Sequence, residues 1–171
     1  MSLLKIVNYP APVLLTVGKP VETFDDKLKT FIDDMFETMY EAQGVGLAAP
    51  QVAVSNRIFV MDCSGGENAS QKIAAINPEV IYAEGDQTGD EGCLSFPGIY
   101  VPITRNHRAI LRAQDVTGNW FELDATDLAA RCILHETDHC DGIVFLDRMS
   151  ILKREMAKRK IKRLQKTGKW D

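Results

Sequence analysis

The chain has no long run of apolar residues. No stretch of its 171 residues approaches the ~20 consecutive apolar residues that span a bilayer. The N-terminus, MSLLKIVNYPAPVLL, contains one lysine, two prolines and no apolar segment long enough for the hydrophobic region of a signal peptide. We therefore expect a cytoplasmic protein that does not bind a membrane. Internal repeats and low-complexity segments are also absent, and the length and 45% hydrophobic content fit one domain with a sizeable core.

Residues that commonly bind transition metals are few. In a reducing compartment, cysteines are more often free thiols or metal ligands than disulfide partners. A metal site that uses thiolate or imidazole ligands would have to be built from four cysteines and three histidines, which are Cys63, Cys93, Cys132, Cys140, His107, His135 and His139.

Basic residues are scarce in most of the chain. Residues 1–149 contain 11 lysines and arginines against 22 acids, whereas residues 150–171 contain 9 against 2. The two segments have formal charges of −11 and +7, which give the net charge of −4. We therefore distinguish a main body, residues 1–149, from a basic C-terminal helical extension of the same domain, residues 150–171.

Hydrophobic spacing predicts three helices and several strands. Segment 25–43 has apolar residues at helical spacing, and Gly44 follows as a stop signal. Helical patterns return from about Ala125 to Gly142 and over 150–168. Short β-prone runs occupy 57–62, 72–85, 100–116 and 119–125. The order of helix, strands, helix and helix predicts an α+β fold rather than alternating βαβ units.

The stretch RCILHETDHCDG, residues 131–142, contains two histidines four residues apart. On a helix, residues at this spacing lie about 40° from each other and one turn along the axis, so both imidazoles can reach one metal ion. Glu136 can lie beside that ion as a base for its water, as in HExxH zinc hydrolases. A polar stretch of an ordinary helix is the alternative at this point.

A catalytic metal of this type usually takes three protein ligands. Cys132 precedes His139 by seven residues, about 10 Å along a helix, whereas metal–ligand bonds are about 2 to 2.3 Å. Cys140 points about 100° away from His139 around the helix. Both cysteines are therefore better interpreted as small apolar residues of the core.

Three residues outside this helix remain as candidates for the third metal ligand. His107 has no acidic or cysteine neighbour at ligand spacing, so we interpret it as a surface or strand histidine. Cys63 and Cys93 are left, and Cys93 lies in GDEGCLSFPG, where Gly92 permits a turn and close approach of the backbone.

Segment GVGLAAPQ, residues 44–51, is rich in small residues. Glycine and alanine allow the main chain to run close to a peptide, and Gln51 ends the segment with an N–H donor. No lysine follows at the spacing of a phosphate-binding P-loop. A tight helix-to-strand turn would explain Gly44 and Gly46 but not Gln51.

Together these segments resemble the peptide deformylase family. GVGLAAPQ (44–51), EGCLS (91–95) and LHETDHCDG (134–142) occur in the usual order, and similarity continues through IVNYPAPVL (6–14), INPEV (76–80) and GIVFLDR (142–148). The resemblance covers nearly the whole chain. It implies antiparallel β-sheets around a central HExxH metal-binding helix, closed by a C-terminal helix, with residues 1–149 as the catalytic domain.

The resemblance also implies a role for each site residue. The metal ligands would be Cys93, His135 and His139. Glu136 would be the general acid/base, while Gln51 and the backbone N–H of Leu94 would polarise the formyl oxygen. The ion is commonly Fe²⁺ in the family, and a thiolate with two imidazoles also suits Zn²⁺, Ni²⁺ or Co²⁺.

The implied reaction removes the N-formyl group from the N-terminal methionine of nascent polypeptides and releases formate. The implied substrate-binding residues are Gly44, Val45, Gly46, Gly92, Arg105, Leu128, Arg131 and Cys132. For Arg105 the alternative is a solvent-facing arginine on a strand.

Two positions depart from the family pattern. Leu134 stands where glutamine is most common, so a polar contact that supports a ligand is replaced or lost. Arg131 occupies a place beside the methionine pocket that is often apolar in relatives. Its stem could line the pocket with the charge in solvent, or it could alter the side-chain preference.

Two other functions are considered. A general HExxH peptidase would need a third ligand downstream, for which the acidic candidates are Asp141, Asp147, Glu155 and Asp171. A non-catalytic relative that binds a metal or a peptide is the second alternative.

The basic C-terminal extension, residues 150–171, is expected to form a helix. Its apolar residues would make a broken strip of Leu152, Met156, Ile161 and Leu164. Phosphate attraction favours ribosomal RNA as its partner, because the family acts on chains that leave the ribosome. A helix docked on the domain would explain the strip but not the local charge. An anionic membrane fits less well, since the apolar face is thin.

Overall fold

The computed structural model describes residues 2–170 and has the α+β architecture that the sequence predicts. The helices are α1 (Asp26–Glu41), α2 (Asp127–Cys140) and α3 (Ile151–Lys166), and short 3₁₀ turns cover Pro12–Leu15, Ala49–Val52, Ala69–Gln71 and Phe145–Arg148. The strands are β1 (Gly46–Ala48), β2 (Ile58–Met61), β3 (Ile73–Glu84), β4 (Gln87–Gly92), β5 (Tyr100–Arg105), β6 (Arg108–Gln114) and β7 (Trp120–Thr126). Within residues 2–170, no helix is long and apolar enough to cross a membrane.

The strands form two antiparallel sheets. Five strands make one sheet in the order β1-β2-β3-β6-β7, and β4 pairs with β5 in a separate two-stranded sheet. The β4–β5 register sets Gly92 opposite Tyr100 and Gln87 opposite Arg105. The metal ligands implied by the resemblance thus lie on α2 and directly after β4.

The larger sheet is covered by a helix on each face. Strand β2 shows this most clearly, because all four of its residues are buried. Phe59 and Met61 pack with residues of α2, whereas Ile58 and Val60 pack with residues of α1. This double coverage explains why the strand reads as a continuous apolar run rather than an alternating one.

Helix α2 has a well-defined end immediately after the second histidine. Gly142 adopts a φ of +74°, and its N–H donates to the carbonyl of His139 at 3.2 Å. A β-carbon at Gly142 would lie 2.8 Å from the carbonyl carbon of Thr16. Glycine is therefore required both by the conformation and by the close approach of the N-terminal segment, which confirms Gly142 as the predicted stop.

Helix α3 packs on the rest of the chain through a face that includes only part of the predicted strip. Ala157, Ile161 and Trp170 are buried in a cluster with Phe96 and Phe145. Two hydrogen bonds join this end of the chain to the N-terminal segment, in which Asn8 Nδ2 donates to the carbonyl of Trp170 and Trp170 Nε1 donates to the carbonyl of Tyr9.

The predicted apolar strip is wrong at two positions. Leu152 is 71% exposed and Met156 is 60% exposed. Leu152 lies about 180° around the helix from Ile161, so the two side chains cannot face the same surface. The buried face instead follows Ala157, Ile161 and, in part, Leu164.

Candidate metal centre and active site

Three donor atoms converge where α2 meets the turn after β4. The thiol of Cys93 and one ligand atom each from His135 and His139 all lie within 4.8 Å of one another. Cys93 Sγ is 3.4 Å from His139 Nε2. Among residues 2–170, this is the single group of three or more such side chains with suitably placed ligand atoms. It leaves Cys63 outside the site, which resolves the choice between the two remaining cysteines.

The chemistry of these donors fits a divalent transition metal. A thiolate and two imidazoles suit Zn²⁺, Fe²⁺, Ni²⁺ or Co²⁺ better than hard cations such as Mg²⁺, which prefer oxygen ligands. Burial lowers the pKa of His139 well below its usual range. The neutral imidazole that metal binding requires is therefore the favoured form of His139. For His135, burial acts in the same direction, but interactions with Cys93 and Glu91 raise its pKa.

The orientation of His135 is fixed by a buried carboxylate. Its Nδ1 lies 2.6 Å from Glu91 Oε2, so Nε2 is the nitrogen left for a metal. Burial alone would raise the pKa of Glu91, but hydrogen bonds from His135 and Arg105 hold it far below the usual range for a carboxyl group. The ionised form of Glu91 is thus favoured behind His135.

Arg105 belongs to this support and not to the cleft surface. Its guanidinium donates to both oxygens of Glu91, at 2.9 and 2.7 Å, and to Asp138 Oδ2 at 2.7 Å. Asp138 also accepts two hydrogen bonds from Arg148, at 3.0 and 2.8 Å. Arg105 is 7% exposed, so the alternative of a solvent-facing arginine is wrong. It also does not line the cleft, although the resemblance implied that it is a substrate-binding residue.

Glu136 lies next to the donor cluster and is shielded from bulk solvent. It is 3% exposed, and its Oε1 has no hydrogen-bond partner among the described residues. Burial raises the pKa of this carboxyl group to about 7. A β-carbon on Gly46 would approach Glu136 Oε2 to 2.7 Å and Cys132 Sγ to 2.8 Å, so glycine at this position is required by the space that the carboxylate and the thiol occupy.

Gln51 presents its amide nitrogen to the same site. Its Oε1 accepts a hydrogen bond from the backbone N–H of Ala48 at 2.9 Å, which fixes the orientation of the amide. Its Nε2 lies 3.2 Å from Ser95 Oγ and 3.5 Å from Cys93 Sγ. Leu94 follows Cys93 directly, and a β-carbon on Gly44 would meet its side chain at 2.7 Å.

A cleft of about 500 Å³ opens beside these groups. Its walls include the following residues that the sequence singled out: Gly44, Val45, Gly46, Gln51, Gly92, Cys93, Leu94, Leu128, Arg131, Cys132, His135 and Glu136. At Gly92 a β-carbon would overlap the ring of Tyr100, which also lines the cleft and is 72% exposed. The cleft therefore has a buried polar end at the donor cluster and an open mouth lined by apolar side chains.

The two cysteines of α2 occupy the core positions that the helical geometry predicted. Both are buried and both pack in the cluster between α2 and the larger sheet. The Cys132 thiol lies 3.6 Å from the carbonyl of Val45, and the Cys140 thiol lies 3.8 Å from the carbonyl of Ile58. His107 is at the surface, where its Nε2 lies 2.9 Å from Asp127.

The acids considered as ligands of a general HExxH peptidase are used elsewhere. Asp141 forms an ion pair with Arg57 at 2.9 Å, and Asp147 accepts a hydrogen bond from the backbone N–H of Val144. Glu155 is an exposed residue of α3, and Asp171 lies outside the described residues. Neither Asp141, Asp147 nor Glu155 belongs to the donor cluster.

Sequence reasoning missed Glu91, Ser95 and Asp138 as parts of the site. Glu91 stands two residues before Cys93 and its role could have been sought there, because an acid next to a predicted ligand often supports a histidine. Asp138 gave no signal, since its partners are 33 residues upstream and 10 residues downstream in the chain.

Comparison with known proteins agrees with this geometry. Residues 3–155 match the family described as polypeptide deformylase. The chain belongs to the peptide deformylase family. A peptide deformylase of Acidobacterium capsulatum is 47% identical over 170 residues, which cover 99% of this chain and 100% of the relative. A peptide deformylase of Chromobacterium violaceum is 50% identical over 166 residues, which cover 97% of this chain and 98% of the relative.

Solved peptide deformylase structures share the fold over nearly the whole chain. The enzyme of Legionella pneumophila is 46% identical, with a TM-score of 0.89 and coverage of 96% of this chain and 98% of that one. The peptide deformylase of Plasmodium falciparum is 33% identical, with the same TM-score of 0.89 and coverage of 95% and 96%. The expected fold of antiparallel sheets around the HExxH helix is therefore confirmed.

Proposed function

We propose that this member of the peptide deformylase family hydrolyses the N-formyl group from the N-terminal methionine of nascent polypeptides, releasing formate and a free amine. The observation that carries the proposal is the convergence of Cys93, His135 and His139 beside the buried carboxyl group of Glu136, whose Oε1 has no hydrogen-bond partner among the described residues. A purely structural metal site would need neither the unpartnered carboxyl group nor the open cleft.

Cys93, His135 and His139 would hold one divalent ion. Fe²⁺ is the ion that the family resemblance favours, and the donor set suits Zn²⁺, Ni²⁺ or Co²⁺ as well. When bound, such an ion lowers the pKa of a water molecule and polarises a carbonyl oxygen.

Glu136 would move the proton of the reaction. A pKa of about 7 allows the carboxylate to accept a proton from the attacking water and the acid to donate it to the leaving amine nitrogen. No donor among the described residues binds its Oε1, so the carboxyl group is not committed to a structural hydrogen bond at that oxygen.

Gln51 and Leu94 would stabilise the negative charge that develops on the formyl oxygen. Gln51 Nε2 is directed towards Cys93 and Ser95 because its own oxygen is held by Ala48 N–H. A donor fixed in this way before the reaction costs little reorganisation in the transition state. The backbone N–H of Leu94 would supply the second donor.

The peptide would lie across the cleft in extended form. Val45 and Gly46 of one wall and Gly92 of the other can offer backbone groups to it, as an edge strand does to an added strand. Leu128, Arg131 and Cys132 would surround the methionine side chain, and Gly44 would leave room for the chain beside Leu94.

The deciding experiment measures formate release from a formyl-Met-Ala-Ser peptide by protein purified without oxygen, together with the metal content. Acetyl-Met-Ala-Ser is the matched control substrate, since it differs by one methyl group at the scissile amide. We expect release from the formyl peptide and about one metal ion per chain. Cleavage of internal peptide bonds, or no formate from the metal-loaded protein, would be evidence for a general peptidase or a non-catalytic relative.

For location and partner, we propose a cytoplasmic protein that meets its substrate at the ribosome through α3. The segment 150–171 has a formal charge of +7, and most of its lysines and arginines are exposed. The buried face of α3 supports the proposal that this segment is an extension of the domain of residues 1–149 and not a separate unit.

A further inference from the structure

Arg131 is buried although its position lies on the cleft wall. Its side chain is 9% exposed, and the alternative that its charge extends into solvent is therefore wrong. Nη1 donates to Glu91 Oε1 at 2.9 Å and to the backbone carbonyl of Ile103 at 3.0 Å. One nitrogen of a residue on α2 thus binds both strands of the β4–β5 sheet.

This contact joins the two elements that carry the donor cluster. His135 and His139 lie on α2, whereas Cys93 follows β4, and the β4–β5 sheet shares no strand with the larger sheet that supports α2. The distance between the thiol and the imidazoles therefore depends on how this sheet is held against α2. Arg131 spans that junction directly.

Glu91 connects Arg131 to His135, one of the proposed metal ligands. Arg131 binds its Oε1, and His135 Nδ1 binds its Oε2 at 2.6 Å. Arg105 of β5 also binds Glu91 and reaches α2 through Asp138 at 2.7 Å, so it supports the same junction, but Arg131 is the arginine that bonds Glu91 from α2 itself. With Arg131 in place, a carboxylate carried by β4 is held to α2 at two points, one of them the ligand itself.

Resting on the metal site proposed above, we infer that Arg131 is a positioning residue, which sets the relative placement of Cys93, His135 and His139 through Glu91 and the Ile103 carbonyl. Arg131 lines the cleft, and its guanidinium binds Glu91 and the Ile103 carbonyl at the junction. Contact with the substrate is the lesser part of its role.

The test compares Arg131→Met, which keeps the length of the stem, with Arg131→Lys, which keeps the charge. Ni²⁺ affinity is measured by competition with a chelator, and the increase in Tm on Ni²⁺ binding is measured in parallel. We expect Arg131→Met to lower the affinity by about 10- to 100-fold, as loss of a residue that supports a metal ligand typically does. Arg131→Lys should recover part of the loss, because its ammonium can still reach Glu91.

Two control variants separate positioning from other roles. Arg108→Met removes an arginine whose ion pairs with Glu84 and Asp124 are exposed, so its Ni²⁺ affinity should equal that of the wild type. Leu128→Ala shortens a different cleft residue, so it should change KM for the formyl peptide and leave Ni²⁺ affinity unchanged. For Arg131→Met in the Ni²⁺ form, kcat should fall more than KM rises.

The inference is overturned if Arg131→Met binds Ni²⁺ as tightly as the wild type, or if Tm falls equally with and without Ni²⁺. The second result would assign Arg131 to general stability. If Arg131→Met does not fold, Arg131→Gln, which retains an N–H donor, is measured in the same way and the same outcomes decide. Failure of the proposed function is a separate result, because it is seen as absent formate release by the wild type whatever its Ni²⁺ affinity.

Discussion

Glu136 combines a carboxyl group at 3% exposure with an oxygen that has no partner among the described residues. Glutamine has nearly the same shape but cannot accept and return a proton. We therefore expect Glu136→Gln to keep its metal and to lose about 10²- to 10⁴-fold in kcat, the usual contribution of general acid–base catalysis. Formate release and metal content are measured on the same sample, with Glu155→Gln on the exposed surface of α3 as the control. Turnover near the wild-type level in Glu136→Gln would remove this residue from the mechanism.

Loss of Cys93 should have a different effect from loss of the Glu136 carboxylate, because Cys93 is expected to bind the ion and not to move a proton. Cys93→Ala leaves two imidazoles, which should hold a divalent metal far less tightly than three ligands do. We expect metal content and formate release to fall together in this variant. Cys63→Ala is the matched control, since Cys63 is a half-buried thiol outside the donor cluster. Full metal occupancy of Cys93→Ala would show that the third ligand lies elsewhere.

Leu134 does not face the donor cluster. Its side chain packs on the apolar cluster between α2 and the larger sheet, so a glutamine here would bring an amide into that cluster. We expect Leu134→Gln to lower the free energy of unfolding by about 1 to 3 kcal/mol, the cost of a poorly paired amide, with the lower end favoured because position 134 is only partly buried. Leu134→Met, of similar volume, should cost less than about 1.5 kcal/mol. Urea denaturation and Ni²⁺ affinity test this, and a gain in metal affinity or turnover in Leu134→Gln would contradict it.

At the scale of elements, α1 is tied to the end of β2 by a hydrogen bond from Tyr40 to Asp62 at 2.5 Å. Burial, together with this bond, raises the pKa of Tyr40 to about 12. Because the folded pKa lies above the unfolded value of about 10, the stabilisation is complete below pH 10 and is lost as the pH rises towards 12. For Asp62, burial acts in the opposite direction, but hydrogen bonds from Ser64 and Tyr40 lower its pKa. That contribution is present above pH 4 and is lost at lower pH.

We therefore expect Tyr40→Phe to lower the free energy of unfolding by about 1 kcal/mol at pH 7, a modest value because the Tyr40 side chain is partly exposed. The difference from the wild type should be constant between about pH 5 and 9 and should shrink above pH 10. Urea denaturation at several pH values measures it. Tyr100→Phe is the control, since Tyr100 is 72% exposed and loss of its hydroxyl group should change the free energy of unfolding little. An equal difference at pH 7 and pH 11 would rule out the Tyr40–Asp62 bond as the cause.

The helices could be predicted closely from the sequence, whereas the short strands β1 and β4 could not. Apolar spacing places α1 within 25–43 and α2 within 125–142, in agreement with the structure. Strand β4, with the sequence QTGDEG, has low intrinsic β-propensity and forms because β5 offers it a full antiparallel partner. The run 100–116 reads as one β-prone segment, yet it turns at Asn106 and His107 and its halves enter different sheets.

The site residues also divide into those that could be predicted from the sequence and those that could not. The helical spacing of His135 and His139 is a local property, so it could be derived from sequence. The buried network could not, because Glu91 meets Arg105, Arg131 and His135 across 14, 40 and 44 residues of chain. Charges of both signs at such separations have many partners in sequence, and only the packing of α2 against the β4–β5 sheet selects among them.

At the scale of the whole molecule, residues 150–171 contribute both positive charge and apolar packing, so a test of the charge must leave the packing intact. Trp170 and Ile161 are 3% exposed, so removal of the segment after Arg154 would open an apolar cluster of the domain. Three of the basic side chains also bind the domain, in that Lys153, Arg154 and Lys160 donate to backbone carbonyls. Truncation would confuse loss of charge with loss of stability.

Substitution of exposed lysines isolates the electrostatic contribution. Lys158, Lys162 and Lys166 are exposed and follow one another at four-residue spacing, so they lie along one side of α3. If this side contacts ribosomal RNA, changing all three to glutamine should weaken binding and make log K less dependent on log salt, by about 2 to 3 in slope. Cleavage of a free formyl-Met peptide should be unchanged, because none of the three lines the cleft.

Co-sedimentation with ribosomes at increasing salt measures this binding. A second triple variant gives the same change in net charge at exposed positions away from α3: Lys5, Lys27 and Lys29. Long-range attraction to a polyanion would be weakened alike in both variants, whereas direct contact through α3 would be lost only in the first. Equal ribosome binding by the α3 variant and the wild type at low salt would mean that α3 serves the domain alone, through the face that packs Ile161 and Trp170 into the core.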